Sequence, residues 1–250
     1  MVAPIGLQLY TLRDAIAADF EGTVRKVADI GYLGVEPAGF TGTTPQAAAR
    51  LFEDLGLEVI SAHLPLPDGD DNQQAIEAAQ ALGISRWVSG LGPDNFSSRD
   101  QIAASCERFN KAGAFAREHG MSFGIHNHWW EFLEVEGRLV YQVIEEHVSP
   151  DIFFQIDAYW VQTAGQNPAA VMKELGNRAP LIHLKDGPCT RDTDMMALGD
   201  GITDFDAIVE AGAEDTQWWI VELDRCATDM MEAVTTSLRY LADSGYGRAR

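Results

Sequence analysis

The chain has 250 residues, 46% of them hydrophobic, and a formal net charge of −20 from 38 acidic and 18 basic side chains. Such a composition excludes a disordered chain. A field of that sign also repels polyanions, because nucleic-acid binding needs clustered Lys and Arg to displace counterions. No apolar run approaches the roughly 18 residues of a membrane-spanning helix, so no membrane partner is expected.

The first predicted strand is "IGLQLY" (5–10), within an N-terminal stretch that lacks a basic region and a cleavage pattern, so no signal peptide is expected. Val24, Val27 and Ile30 recur at helical spacing and run up to Gly31, a natural stop before the strand "GVEP" (34–37). Leu51 and Leu55 repeat the pattern up to Gly56, before "EVISAH" (58–63). Gly83 precedes "RWVSGL" (86–91), and the longest helix is predicted over 98–119, ending at "HG" before "SFGIHN" (122–127). The strands "IFFQID" (152–157), "LIHLK" (181–185) and "WWIVEL" (218–223) follow, with a Thr203 cap predicted from "TDFD". Short runs without strict alternation suit parallel strands buried on both faces. Eight β/α units without a linker read as one (β/α)8 TIM barrel. An open doubly wound sheet is the alternative, but no GxGxxG fingerprint follows the first strand. Cys106, Cys189 and Cys226 are odd in number and far apart, which argues against a disulfide framework or thiolate zinc site and fits a reducing cytoplasm.

A barrel carries its chemistry at the C-terminal ends of its strands. Those ends hold Glu36, His63, the group His126, His128 and Glu131, then Asp157, then His183, Lys185 and Asp186, and finally Glu222 and Asp224. Glu131, Asp157, His183 and Glu222 come from four consecutive units. Three carboxylates so close would repel one another unless a cation neutralised them, and this donor set suits one divalent metal ion, Mn2+, Mg2+, Co2+ or Zn2+. Glu36, His63, Trp130 and Trp160 are the expected substrate contacts. Plainer readings stand beside these. His63 can be a hydrogen-bonded strand-end residue, His119 a helix C-terminal residue meeting carbonyls, and His147 an ordinary helix-surface residue. Asp186 and Asp224 can cap loops, while Trp218 and Trp219 read as barrel packing.

The stretches "GLQLYTLRD" (6–14), "HNHWWEF" (126–132), "IDAYWVQTAGQNP" (156–168), "LIHLKDG" (181–187), "ALGDGITDF" (197–205) and "WIVELD" (219–224) together resemble the xylose isomerase-like sugar phosphate isomerase/epimerase barrels, over nearly the whole of 1–250 as a single domain. The branch with a His-Asn-His-x-x-Glu-Phe motif is the most similar. The resemblance implies one metal held by a strand-five residue with Asp157, His183 and Glu222. Ketohexose epimerases place Glu directly on strand five; here Glu131 comes later, so Glu131 is the favoured ligand and a histidine the alternative. They also carry His where this chain has Trp160 and Arg where it has Cys189, departures that point toward relatives acting on 3-keto-glycosides. Barrels of this kind often pair, which implies a homo-oligomer.

The chemistry so implied is proton abstraction beside a carbonyl of a small sugar, with Glu222, His126 and His128 as candidate bases and Lys185 as donor to a developing oxyanion. Return of the proton gives an isomerase or epimerase, and loss of a β-leaving group gives a lyase. A metal-dependent apurinic-site endonuclease shares this architecture, but the charge of −20 opposes DNA. A sugar- or partner-binding barrel without turnover is the non-enzyme reading; it gains little from so many ionisable groups.

Overall fold

The computed structural model describes residues 2–69 and 72–250. In chain order the elements are β1 (Ile5–Gln8), α1 (Arg13–Ala18), α2 (Phe20–Ile30), β2 (Gly34–Glu36), α3 (Pro45–Asp54), β3 (Glu58–Val59), β4 (Ala62–His63), α4 (Gln73–Leu82) and β5 (Arg86–Ser89). Then come α5 (Arg99–Glu118), β6 (Ser122–His126), the small hairpin β7 (Glu134–Val135) and β8 (Arg138–Leu139), α6 (Val140–His147) and β9 (Phe153–Asp157). The chain finishes with α7 (Ala158–Thr163), α8 (Pro168–Leu175), β10 (Leu181–Leu184), α9 (Phe205–Gly212), β11 (Trp218–Val221) and α10 (Met230–Asp243).

The main sheet runs β3-β2-β1-β11-β10-β9-β6-β5-β4, and all its pairings are parallel. Its two ends, β3 and β4, are halves of one extended segment. Ile60 N–H donates to Val35 O at 3.0 Å on one side, and Leu64 N–H to Val88 O at 3.1 Å on the other, so that segment joins β2 to β5 and closes a TIM barrel. Strands β1, β2, β9, β10 and β11 are buried along their whole length, and β5 and β6 in all but their first residue, as suits parallel strands covered on both faces.

Side chains at every second strand position enter the barrel. Ile60, Val88, Phe153, Leu181, Trp218 and Ile220 fill its lower part with an apolar cluster. Large rings in so narrow a space need neighbours without a side chain: a Cβ on Gly124 would collide with the Phe153 ring, and one on Gly34 would lie 2.8 Å from Trp218. Two residues further up each strand the same inward register carries Glu36, His126, Gln155 and His183, and above them Asp157 and Glu222. The apolar floor therefore supports a polar layer at the C-terminal mouth.

The helices start where short polar side chains cap them: Asp19 accepts from Gly22 N, Thr44 from Ala47 N and Ser98 from Gln101 N. Gly31 closes α2 at φ 116°, in the left-handed region. One expected cap is displaced by a residue. Asp204, not Thr203, caps α9 by accepting Ala207 N–H at 3.0 Å, while the Thr203 hydroxyl is turned away from the helix to donate to Lys185 O at 3.3 Å. His119 meets Phe115 O at 2.9 Å, and His147 meets Val143 O at 2.8 Å on an exposed helix end. No helix among the described residues is long and apolar enough to cross a membrane.

Candidate active site

Glu36 is fully buried, and its carboxylate organises the polar layer. Oε1 accepts from Ser61 Oγ and Gln155 Nε2, both at 2.6 Å, and Oε2 accepts from Gln8 Nε2 at 2.9 Å. Oε2 also pairs with His183 Nε2 at 2.6 Å, while His183 Nδ1 lies 2.7 Å from Glu222 Oε2. The Gln155 carbonyl oxygen meets His126 Nδ1 at 3.0 Å and His63 Nε2 at 2.7 Å.

Above this layer His126, Asp157, His183 and Glu222 each offer one donor atom within 4.8 Å of the others. Asp157 Oδ1 caps α7 through Trp160 N–H at 3.0 Å, whereas Oδ2 is buried, accepts no hydrogen bond and faces Lys185 Nζ at 3.0 Å. Lys185 is 1% exposed and also reaches Glu222 at 2.9 Å and Asp224 at 2.7 Å. Two imidazoles and two carboxylates, one of whose oxygens has only the Lys185 ammonium for company, make a donor set that fits a divalent transition metal.

Charge is sorted sharply across the site. Burial would push the Glu36 carboxyl up, but His63 and His183 outweigh it and hold it at about 2. Burial disfavours the His183 cation, yet Glu222 and Glu36 raise it to about 10, so without metal it is an imidazolium between two carboxylates. Burial opposes ionisation of Glu222 too, and Lys185 and His183 overcome it and keep it well below the carboxylate range. His126 is driven well below its usual value by burial and by the neighbouring His183, and His128 falls to about 4 through burial and the Lys185 charge. Both stay neutral at pH 7. Asp157 rises to about 6 because it is buried, against the pull of Lys185.

The cluster opens into a cavity of about 410 Å³ whose walls include Tyr10, His63, His126, His128, Trp130 and Glu222. Trp130 stacks on His128 at 4.2 Å between ring centroids and anchors its indole N–H on Leu91 O at 3.0 Å.

The profile of the xylose isomerase-like TIM barrel family matches residues 24–243. The chain belongs to that family. Among solved structures, a sugar phosphate isomerase/epimerase from Parabacteroides distasonis ATCC 8503 is 25% identical, with a TM-score of 0.85 over 99% of this chain and 96% of its own. An L-ribulose 3-epimerase is 18% identical, with a TM-score of 0.73 over 98% and 94%. The IOLI protein with a bound zinc atom is 14% identical, with a TM-score of 0.74 over 97% and 98%. No curated protein sequence matched.

Within this xylose isomerase-like barrel the expected site residues separate into three groups. His126, Asp157, His183 and Glu222 come together, with Lys185 among them. His63, His128 and Trp130 stand on the cavity wall. Three expectations need correction. Glu131 is outside the donor cluster: the chain turns over 130–132, and its carboxylate folds back to accept His128 N–H at 2.9 Å, buried so deeply that it rises to about 8. Glu36 has no exposed surface and holds the histidine layer from beneath instead of meeting substrate. Trp160 is 7% exposed and packs in the apolar cluster behind Lys185 with Tyr159 and Met195. Trp218 and Trp219 pack the barrel as expected.

Gln155, Gln8, Ser61 and Asn127 were not foreseen. Asn127 locks β6 to β9 by accepting Asp157 N–H at 2.9 Å and donating to His128 O at 3.1 Å. The signal for Gln155 was available: it lies two residues before Asp157, on the same face of its strand.

Proposed function

We propose that this barrel is a divalent-metal-dependent sugar isomerase or epimerase that removes a proton beside the carbonyl of a keto-sugar, a 3-keto-glycoside included. The observation that carries this reading is the His126, Asp157, His183 and Glu222 donor cluster, opening directly onto a cavity walled by a neutral histidine. The sugar phosphate isomerase/epimerase, the L-ribulose 3-epimerase and the zinc-holding IOLI protein support it as relatives of the same fold.

His126, Asp157, His183 and Glu222 would hold the ion, with Glu36 orienting His183 from its far nitrogen, as carboxylates commonly orient metal-bound histidines. When bound, the ion supplies Lewis-acid polarisation of a carbonyl and stabilises negative charge on its oxygen. His128 is neutral and fixed by Trp130 on the cavity wall, so it can accept the proton from carbon, leaving an enediolate. Lys185 places a fixed positive charge beside the oxygen that gains charge. Mass spectrometry of a keto-sugar incubated in D2O tests this. The metal-loaded chain is expected to incorporate deuterium, chelation to abolish the exchange, and His128→Ala to slow it by about 10²–10⁴. Exchange that survives chelation would refute the metal dependence, and analysis of products separates epimer from eliminated fragment.

A further inference from the structure

Building on that reading, we infer that the substrate carries no phosphate, because the place where this fold would grip one is already filled by the protein's own Asp186. Barrels of this architecture commonly bind phosphate on backbone N–H groups of the loops after the seventh and eighth strands. Here the loop after β10 builds such a nest of amides. Asp186 Oδ1 accepts from Gly187 N–H at 2.8 Å and Thr203 N–H at 3.1 Å, and Oδ2 accepts from Gly199 N–H at 2.9 Å and Gly201 N–H at 3.0 Å. These are the contacts an amide nest offers to an anion. Asp186 is 1% exposed, and a Cβ on Gly201 would collide with its carboxylate, so the loop is closed around this group with no room for a second.

In the loop after β11 the amides nearest the strand end are already engaged, and Ala227 N–H donates to Met195 O at 3.1 Å. Leu223 N–H donates to Thr11 Oγ1 at 3.1 Å, and Asp224 N–H points at Met195 Sδ at 3.4 Å. At the α7 terminus, Trp160 N–H is taken by Asp157. Side chains on the cavity wall leave the same result. Lys185 is bound among Asp157, Glu222 and Asp224, so its charge is already matched by carboxylates on the cavity wall. Arg13 donates to Asp224 O at 2.7 Å and Tyr10 O at 3.1 Å, and Arg191 lies on the Trp129 ring at 3.6 Å, out on the exposed rim. The cavity is built for hydroxyl and carbonyl oxygens of an uncharged sugar.

Calorimetric titration of the wild-type chain with inorganic phosphate is the primary test, performed metal-free and again with Mg2+. No saturable binding at millimolar concentration is expected, and sub-millimolar saturable binding overturns the inference. Asp186→Gly opens the nest, and the folded variant is expected to gain phosphate binding; a folded variant that gains none overturns the role given to Asp186. In parallel, deuterium exchange is measured on D-fructose and D-fructose 6-phosphate with the Mg2+-loaded chain. The free sugar is expected to exchange at least about tenfold faster, because the amide nest is filled by Asp186 and Lys185 is already paired, which leaves a buried phosphate charge uncompensated. Faster exchange of the ester, lost in Arg191→Ala, overturns the inference and places a phosphate at the rim. Exchange of neither sugar counts against the proton-abstraction reading alone, because the phosphate titration decides the present inference without turnover.

Discussion

Replacing Glu36 by Gln should cost the metal-free chain about 3 kcal/mol, although Glu36 touches neither cavity nor solvent. A fully buried carboxyl held at about 2 instead of its ordinary 4.5 contributes about 3 kcal/mol to folding at neutral pH. Breaking a buried pair from one side costs a similar ~3–5 kcal/mol, because the remaining charge is stranded. Here the stranded charge is the His183 imidazolium, and the two figures describe one interaction, so they are not summed. The sign of the pH dependence follows from the two shifts. Glu36 is depressed, so its contribution is complete above pH 4.5 and is lost as pH falls toward 2. His183 is raised, so its contribution is complete below pH 6.5 and is lost as pH climbs through 10. Urea unfolding in EDTA, at pH 7 and at steps up to pH 10, is the assay. Glu36→Gln is expected to unfold at lower urea with an unchanged m-value and to show a shallower alkaline loss, since only Glu222 then faces the imidazolium. A variant within about 1 kcal/mol of wild type at pH 7, with the same alkaline slope, would refute the ion-pair account.

Metal analysis after equilibration with Mn2+ should find about one ion per chain in wild type and in Glu131→Ala, and far less in His126→Ala; the reverse pattern would return Glu131 to the ligand set. Lys185→Met strips a buried cation from three carboxylates, so the metal-free variant should lose ~3–5 kcal/mol while gaining more than wild type in melting temperature when a divalent ion is added. Equal thermal shifts would show that lysine and metal do not share those carboxylates. Gly124→Ala should cost about 1–3 kcal/mol in thermal unfolding, because its methyl group meets the Phe153 ring inside the barrel.

The architecture was legible because each parallel strand is a short apolar run ending in one or two polar residues, and those residues mark the mouth. What could not be read was depth along the barrel axis. Glu36 and Glu222 both end strands, yet one lies beneath the histidines with no exposed surface and the other reaches the cavity. Strand register against neighbours fixes that difference, and spacing within a single strand does not contain it. Glu131 misled for a related reason. Its carboxylate type suited a metal, but five residues beyond His126 the chain has left the strand and turned, so the side chain serves the His128 amide. His126, on the strand itself, keeps the inward register. The cap moved from 203 to 204 because a long-range partner, the Lys185 carbonyl, takes the Thr203 hydroxyl that local preference would have used.

The buried Gln155 amide has a consequence for proton inventory. Its NH2 group donates to Glu36 and its orientation is thereby fixed, so its oxygen can only accept. His63 must then carry a proton on Nε2 and His126 on Nδ1, since both nitrogens point at that oxygen. For neutral His126 the remaining lone pair is on Nε2, the nitrogen left for a cation. A carboxylate sealed below the site thus writes, through one neutral amide, which nitrogen of each ring is basic, and an amide turned end for end would erase that instruction without moving a single ligand.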